Sequence, residues 1–594
     1  MLPVFDETYV NGGQLFYAKF RAKLLPYGFF LIDLLSVIFN ILMKNLKKTL
    51  LVCGLLSAAV GVSAQDEAKT LPVLREGKED IHVWVDGRLQ PGVWLADPRT
   101  RPDVYPTSGR RVKFANERDS VVFDVEKDGA YDFVVLTAEG DSAFTRVQWE
   151  SANPLEEPSA EMLRRGADGK LSKAQARFDV DALVYTLGEI HPDLFSACRQ
   201  EDFFRAVNKV KDEMPDSVTA LELFRRAAPL VTLVGDGHTM LRFPYNDIFT
   251  ETYLRLPLFV KVSTSEPRIF VDRCIDGLIP AGAEVLSING RSAAEMLEAM
   301  MPYASGEREF FRLSRLGYDF AALFEMLYAA GQYDVAYRLE EGTDTLHSTL
   351  RPAVFAEMKA RMPDKKKEER KASDYSFRIL KDKDVAVMDF RSFNNPRRMA
   401  AFADSMFSVL GKEHIGNLII DIRGNGGGNS AVGDVLLRYI SHKPFRQMGK
   451  GLARITPTTL RLTDYPGLKP GWTFFDGEGE DGSGLILPLA EKRYKGKVYL
   501  LTSHMTFSSA SSFAWAFKHF GMGTVIGEET GGMSVSFGDV LLYRLPVSRL
   551  ACTISWKRFW LYGADENDIH GTLPDYAVPQ EKALGKAFEL IADE

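Results

Sequence analysis

Four stretches of this 594-residue chain bring together residue types that can do chemistry. In Asp421-Ile-Arg-Gly-Asn-Gly-Gly-Gly-Asn-Ser430, glycines follow an apolar run and open a helical one, so backbone N–H groups can converge on an anion. The loop lacks the Lys-Ser/Thr ending of a phosphate-binding loop, so the anion it suits is the oxyanion of acyl transfer. In Ser503-His-Met-Thr-Phe-Ser-Ser-Ala-Ser-Ser512, serines stand just ahead of the helical run Phe513–Phe520. A serine at a strand-to-helix turn exposes its hydroxyl and sets the following N–H groups beside a reacting carbonyl. Taken alone, such serines are more often ordinary helix N-caps. Asp565-Glu-Asn-Asp-Ile-His-Gly-Thr-Leu-Pro-Asp575 is an acidic cluster with one histidine, and Gly235-Asp-Gly-His-Thr239 sets another histidine between small residues.

The elements that must position these groups follow from periodicity. Over 375–594, apolar runs such as Val385-Ala-Val-Met-Asp-Phe, Leu418-Ile-Ile-Asp-Ile, Val498-Tyr-Leu-Leu-Thr and Thr524-Val-Ile-Gly alternate with helical patterns near 397–410, 430–441 and 509–520. Continuous apolar strands between helices predict a buried, largely parallel sheet, whose strand ends are the usual location of sites. Between 173 and 232, apolar residues recur at three and four (Val180, Leu183, Val184, Leu187; Phe203, Phe204, Val207, Val210), predicting amphipathic helices that lead into the Gly-Asp-Gly-His segment and define a unit over 173–245. Strand-like runs over 250–355, with Ile288-Asn-Gly290 followed by a helical Ala293–Met301, resemble part of a PDZ domain. The mixed-charge run Asp364–Lys371 reads as a solvated linker within 356–374, and period-two runs between 80 and 150 predict a β-rich module over 65–165.

Composition narrows the function. The chain is 45% hydrophobic and 26% charged, as a globular protein should be, and its net charge of −7 provides no basic excess for nucleic acid. Cys53, Cys198, Cys274 and Cys552 form no Cys-x-x-Cys pair, so neither a zinc knuckle nor a disulfide framework is indicated. From Met43 the sequence has a lysine-containing start, an apolar run Leu50–Val62 and Val62-Ser63-Ala64, which predicts a secretory signal peptide over 43–64 cut after Ala64. Residues 1–42 are then an over-extended N-terminus. A membrane helix at 24–43 is the competing reading, disfavoured by Asp33 in mid-span. Export, to a periplasm or cell envelope with no stable membrane span after cleavage, removes the protein from nucleotide and acyl-CoA pools.

The glycine loop, Thr506-Phe-Ser-Ser-Ala-Ser-Ser512, Gly527-Glu-Glu-Thr-Gly-Gly532 and His570-Gly-Thr-Leu-Pro-Asp575, in this order, resemble the tail-specific, C-terminal-processing serine peptidases over roughly 173–580. The resemblance implies a mixed α/β, multidomain protein with a crotonase/ClpP-like ββα core, acting on peptide or protein substrates without metal or cofactor. One branch of that family uses a lysine just past the Gly-Glu-x-Thr-x-Gly segment; here that position is Met533, which cannot accept a proton. The branch resembling tricorn protease and the retinoid-binding repeat proteins takes a histidine from the helical segment, which is His238 here. The resemblance further implies Ser508 as nucleophile, with Ser509 one residue away as competitor. It implies Gly428 and Ser509 N–H as oxyanion donors with Gly427 as alternative, and Asp568 as the acid orienting the imidazole with Glu566 as alternative. His570 is expected to be structural. A catalytically inactive binder of peptides or small hydrophobic ligands is the alternative function on the same fold, and the sequence says nothing about oligomeric state.

Overall fold

The computed structural model of the protein describes residues 158–593 apart from 246–248, 265, 361–373, 464, 466, 469–470 and 477–483, together with short strands between 6 and 149. The predicted signal peptide 43–64 and most of the upstream segment 1–42 lie outside the described residues. Within 65–165 the described strands are antiparallel, in one group at Val73–Arg75, His82–Val85 and Arg88–Gln90 and another at Asp103–Pro106, Gly129–Leu136 and Ser142–Trp149. The expected run at 120–125 lies outside the described residues. One compact unit gathers the described parts of 1–164 with 177–194 and 455–471; the other comprises 165–176, 195–454 and 472–594 and contains every residue of the candidate site.

In that second unit a six-stranded sheet runs in the order Tyr375–Leu380, Val385–Phe390, Asn417–Asp421, Lys497–Thr502, Thr524–Gly527, Tyr576–Ala577. Its first pair is antiparallel and its other pairs are parallel. Alternate side chains go to opposite faces, as the pleat requires. Leu418, Ile420 and Leu500 pack under the helices Pro396–Lys412, Ala431–Leu437 and Ser509–His519, while Val387, Ile419, Leu501 and Ile526 pack against Ala583 and Ala587 of the C-terminal helix Gln580–Ala592. With both faces covered, the strands are apolar throughout.

The helix expected near 430–441 stops at Leu437. Tyr439 and Ile440 donate to the carbonyls of Leu436 and Leu437, three residues back, which tightens the chain into turns. A second sheet, which sequence periodicity had not revealed, is built on the long hairpin Val535–Arg544 and Ala551–Leu561; Met448–Ile455 and the two residues Met240–Leu241 also pair with its second strand.

Helices occupy Lys173–Ile190, Gln200–Asp212 and Ala220–Thr232, the last opened by a capping box in which Thr219 and Glu222 bond each other's backbone N–H. Residues 258–350 form an antiparallel sheet, Leu258–Val262, Ile269–Cys274, Glu284–Ile288, Tyr333–Arg338, Leu346–Leu350. Asn289 and Gly290, both at positive φ, make its tight turn. Helices Ala293–Met300 and Glu309–Tyr328 close its core through Met296, Leu297, Phe320 and Phe324. Phe355–Ala360 is helical, so the linker expected from 356 begins later, and 361–373 lies outside the described residues. Cys198, Cys274 and Cys552 are free thiols.

Phe513 anchors the helix that follows the serine cluster. It is fully buried, edge-on to Phe390 and Phe393, each ring 5.8 Å away. Phe513→Ala is expected to cost ~3–5 kcal/mol through the lost contacts and the cavity left behind. Urea unfolding measures this, and an unchanged midpoint would remove Phe513 from the core.

Candidate active site

Ser508 joins the strand Lys497–Thr502 to the helix Ser509–His519 at φ 54°, ψ −127°. A non-glycine residue at positive φ costs on the order of 1–3 kcal/mol and persists only where its surroundings enforce it. Several hydrogen bonds do so. The Phe507 N–H donates to the Asn425 carbonyl at 3.0 Å, the Thr506 hydroxyl to the Ile422 carbonyl at 3.1 Å, and the Thr506 carbonyl accepts from the Gly531 N–H at 2.9 Å. The neighbouring serines are committed. Ser509 Oγ donates to the Gly428 carbonyl (2.6 Å), Ser511 Oγ to the Thr506 carbonyl (2.8 Å) and Ser512 Oγ to Gln447 Oε1 (2.8 Å). Among the described residues the Ser508 hydroxyl alone in this cluster has no partner.

The glycine loop lies directly on this turn. A Cβ at Gly427, where φ is 93°, would sit 2.7 Å from the Ser509 nitrogen and 2.8 Å from Ser508 Cβ, so only glycine fits. The Gly427 N–H is already taken by Asn425 Oδ1 at 2.9 Å, which removes the alternative oxyanion donor considered from the sequence. The Gly428 N–H, and the Ser509 N–H at the first position of its helix, have no acceptor among the described residues. An anion beside them would also feel the positive end of that helix.

His238 reaches this turn from a distant segment. Cβ atoms at Gly235 or Gly237 would collide with Ala197 in the first case and with Phe507, Phe311 and Glu307 in the second, which is why the histidine is flanked by glycines. Asp236, fully buried, accepts the His238 backbone N–H (2.8 Å) and the Ser555 hydroxyl (2.6 Å), and Met240–Leu241 then joins Ala551–Leu561. Arg315 donates to the Gly237 carbonyl at 2.5 Å and to the Ser305 carbonyl at 3.0 Å. The imidazole lies against the Phe507 ring, centroids 4.4 Å apart, and Phe311 stacks on Phe507 at 4.3 Å. Both ring nitrogens are buried without a hydrogen bond; Nδ1 is 3.6 Å from Asp236 Oδ1, too long for one.

Glu307 is the residue that sequence reasoning missed. Its stem is half-buried but both carboxylate oxygens are inaccessible, and neither makes a hydrogen bond of normal geometry. Burial, then the neighbouring Asp236 charge, push its carboxyl up from an ordinary 4.5 to about 7; His238 and the nearby Gly237 N–H pull weakly the other way. Glu307 stands between Gly306 and Arg308 in an irregular stretch, so no periodicity marks it.

The acids expected beside His238 are elsewhere engaged. Asp568 Oδ1 accepts the His570 N–H at 2.9 Å within its own turn, and Glu566 accepts from Arg558 Nη2 at 2.5 Å and from the Trp560 indole. Neither makes a hydrogen bond to the imidazole in this structure. His570 Nδ1 lies 3.1 Å from Glu529, whose carboxylate also accepts the Gly571 N–H. Met533 forms an antiparallel β-bridge with Gly571. Among the described residues no group of three His, Cys, Asp or Glu could hold a metal.

Gly427→Ala is expected to lower stability by roughly 1–3 kcal/mol through backbone strain and collision with the serine turn. Denaturation read by near-ultraviolet circular dichroism tests it, and a wild-type midpoint would contradict the close approach. For Glu307 the sign follows from its raised pKa. The folded state binds the extra proton between pH 4.5 and about 7, so stability falls as pH rises through that window and the full penalty applies above it. Glu307→Gln is therefore expected to raise Tm by roughly 2–4 °C at pH 8 and to change it little at pH 5. Equal shifts at both pH values would mean the carboxyl is not ionising there.

The family described as "Peptidase family S41" matches residues 384–578. Among solved structures, mature CPAF is 14% identical at a TM-score of 0.50, covering 71% of this chain and 96% of that one. Mature CPAF complexed with lactacystin is 15% identical at the same TM-score, covering 71% and 97%. The photosystem II D1 C-terminal processing protease also matches, at 13% identity and a TM-score of 0.38, over 70% of this chain and 97% of that one. At these identities the two CPAF structures speak to the fold alone. Residues 384–578 are a peptidase family S41 domain, and the chain that carries them is a serine-type peptidase.

Proposed function

We propose that the protein is an exported endopeptidase that cleaves peptide bonds through an acyl-enzyme, with Ser508 as nucleophile and His238 as general base. The observation that carries this reading is the state of the serine cluster: Ser509, Ser511 and Ser512 spend their hydroxyls on neighbours, while Ser508 keeps its own at a strained turn beside two unoccupied N–H groups. Ser508 Oγ attacks the carbonyl carbon of the scissile bond and its proton passes to His238; the oxyanion lies on the N–H groups of Gly428 and Ser509. Collapse breaks the C–N bond, His238 returns the proton to the leaving amine, and water then hydrolyses the ester by the same route. The imidazole lies against the ring of the residue that precedes Ser508, and catalytic hydrogen bonds commonly close only when substrate is bound.

The region 250–355 is read as a PDZ-like domain that captures an extended peptide by adding it to a sheet edge and feeds it to Ser508. Its antiparallel sheet, with outer strands at Leu258–Val262 and Leu346–Leu350, supports that reading. Export to the periplasm or cell envelope rests on the sequence at 43–64; no described helix is long and apolar enough to cross a membrane.

A fluorophosphonate probe labels an activated serine covalently. We expect labelling of the wild type, none of Ser508→Ala, and at least a ~10²-fold slower rate for His238→Ala. Labelling that survives Ser508→Ala would transfer the role to Ser509, and a wild type that never labels would favour a non-catalytic binder.

A further inference from the structure

Arg242 and Arg544 stand on either side of one small residue. The register that pairs Met240 with Thr553 and Leu241 with Cys552 continues to the Arg242 N–H, which donates to the Ala551 carbonyl at 2.7 Å, and Ala551 pairs with Arg544 on the adjacent strand. Residues opposite one another in neighbouring strands share a face, so both arginine side chains rise on the same side of the sheet with only a methyl group between them. Arg549 joins them from the loop that links Val535–Arg544 to Ala551–Leu561. It stands at φ 64°, where glycine would be relaxed. Its loop is fixed by the Leu545 N–H, which donates to the Leu550 carbonyl at 2.9 Å, and by Arg165 Nε, which donates to the Val547 carbonyl at 2.8 Å.

All three arginines line a cavity of about 770 Å³. Part of its wall is aromatic, with Phe224 edge-on to Phe243 at 5.2 Å and stacked on Tyr303 at 6.1 Å. The charged lining is four arginines, Arg315 being the fourth, against the carboxylate of Asp319, whose Oδ1 accepts the Tyr245 hydroxyl at 2.7 Å. Arg315 is committed to the carbonyls of Gly237 and Ser305. Among the described residues the guanidiniums of Arg242, Arg544 and Arg549 make no hydrogen bond or ion pair. Like charges side by side on a sheet weaken it, so this grouping does nothing for the fold, and in a chain of net charge −7 it is not the average surface.

We propose that this cavity is a subsite for acidic side chains of the peptide substrate, about four residues from the scissile bond. The proposal rests on the reading of Ser508 and His238 as the peptidase pair. Met240–Leu241 leads from His238 to Arg242, four residues at ~3.3 Å each, so the cavity begins roughly 13 Å from the imidazole, the span of four residues of an extended substrate. Arg315 ties the two places together, lining the cavity while it holds the carbonyl beside His238. A single inorganic anion would fill little of this volume and leave the aromatic wall unused. Several carboxylates on an extended chain match both, the guanidiniums taking the charges and the rings the methylene stems.

The test measures binding of a fluorescein-labelled hexaglutamate peptide to the full-length Ser508→Ala chain by anisotropy, with hexaglutamine as control and both C-termini amidated so that no terminal carboxylate takes part. Hexaglutamate is expected to bind at least ~10-fold tighter and to weaken between about 50 and 300 mM salt. Arg242→Ala, Arg544→Ala and Arg549→Gly should each cost ~2–5-fold, and the three together ~10–100-fold. Arg549→Gly relieves the left-handed backbone, so its loss of binding cannot come from unfolding. In a quenched fluorescent peptide that wild type cleaves, glutamates three to five residues from the scissile bond on one side should raise kcat/KM by about tenfold over glutamines. The triple variant should lose that advantage and keep the wild-type rate of fluorophosphonate labelling. Equal affinity for the two peptides, or a hexaglutamate affinity that the triple variant leaves unchanged, would overturn the subsite while normal labelling leaves the peptidase reading in place. Equal kcat/KM for the glutamate and glutamine substrates would overturn it too. A wild type that neither labels nor cleaves sinks the Ser508–His238 reading instead, and the binding comparison, made without the serine, still decides the cavity.

Discussion

The ring of Phe507 is the part on which the arrangement of the site depends. It is clamped between His238 on one side and Phe311 on the other, and its own N–H is tied to Asn425 in the glycine loop. Ser508 is the next residue, and the hydrogen bonds of Thr506 and Phe507 together with this ring packing surround its turn at φ 54°. One side chain therefore joins the histidine segment, the helix Glu309–Tyr328, the glycine loop and the serine turn into a single packing problem. Close-packed interiors respond to such shared contacts as a unit, so a shift of Phe311 on its helix would be felt at Ser508. This explains why glycine stands wherever another segment touches the stack, at 237, 306 and 531 as well as at 427.

Around that ring, satisfied and unsatisfied groups separate sharply. Hydroxyls of Ser503, Thr506 and Ser509 stitch the two loops together, Ser511 bonds the Thr506 carbonyl within its own loop, and Ser512 bonds Gln447. The groups left over are the Ser508 hydroxyl, the N–H groups of Gly428 and Ser509, and the side chains of His238 and Glu307. Other buried polar atoms of the described residues, such as Asn208 Oδ1 and Arg493 Nε, are also without a hydrogen bond, so it is the chemistry of this group that sets it apart: a hydroxyl, two N–H donors, an imidazole and a carboxylate in one part of the fold. The strain at Ser508 and the burial of Glu307 oppose folding, and the core beneath, with Phe390, Phe393 and Phe513 in mutual contact, offsets them.

How much of this the sequence disclosed depends on whether the signal was local. Glycines ahead of a helix and serines at a strand end are local chemistry, and both loops lie where their patterns put them. The central sheet was legible for the same reason, since Val385–Phe390, Leu418–Ile420 and Val498–Thr502 are apolar on both faces. The helix Glu309–Tyr328 was not, because its apolar residues Phe311, Leu313, Leu316, Phe320, Leu323 and Phe324 face several neighbours and blur the helical stripe. The hairpin strands 535–544 and 551–561 escaped because their character comes from pairing with each other across a loop. Glu307 carried no local signal. A glutamate next to an arginine is ordinary surface chemistry until a glycine far upstream, Gly237, allows it to come inside.

The acidic turn at 565–571 shows how a motif can be right in place and different in use. Arg308 reaches the Ile569 carbonyl and approaches Glu529 at 3.7 Å, while Glu529 holds His570 and Gly571, so the turn is fastened to the stretch that begins the helix Glu309–Tyr328. Glu307 immediately precedes that arginine. The turn thus locks the backbone beside Glu307, and Asp568, by capping the His570 N–H, stiffens the lock. A carboxylate that keeps an exposed turn in shape and a carboxylate enclosed by the protein are solvated in opposite ways. The first works at the surface, where water screens its charge, and the second is pushed by burial toward its neutral form. Asp568 is partly exposed, whereas the Glu307 oxygens are not. That difference in environment, more than position along the chain, is what separates the two carboxylates.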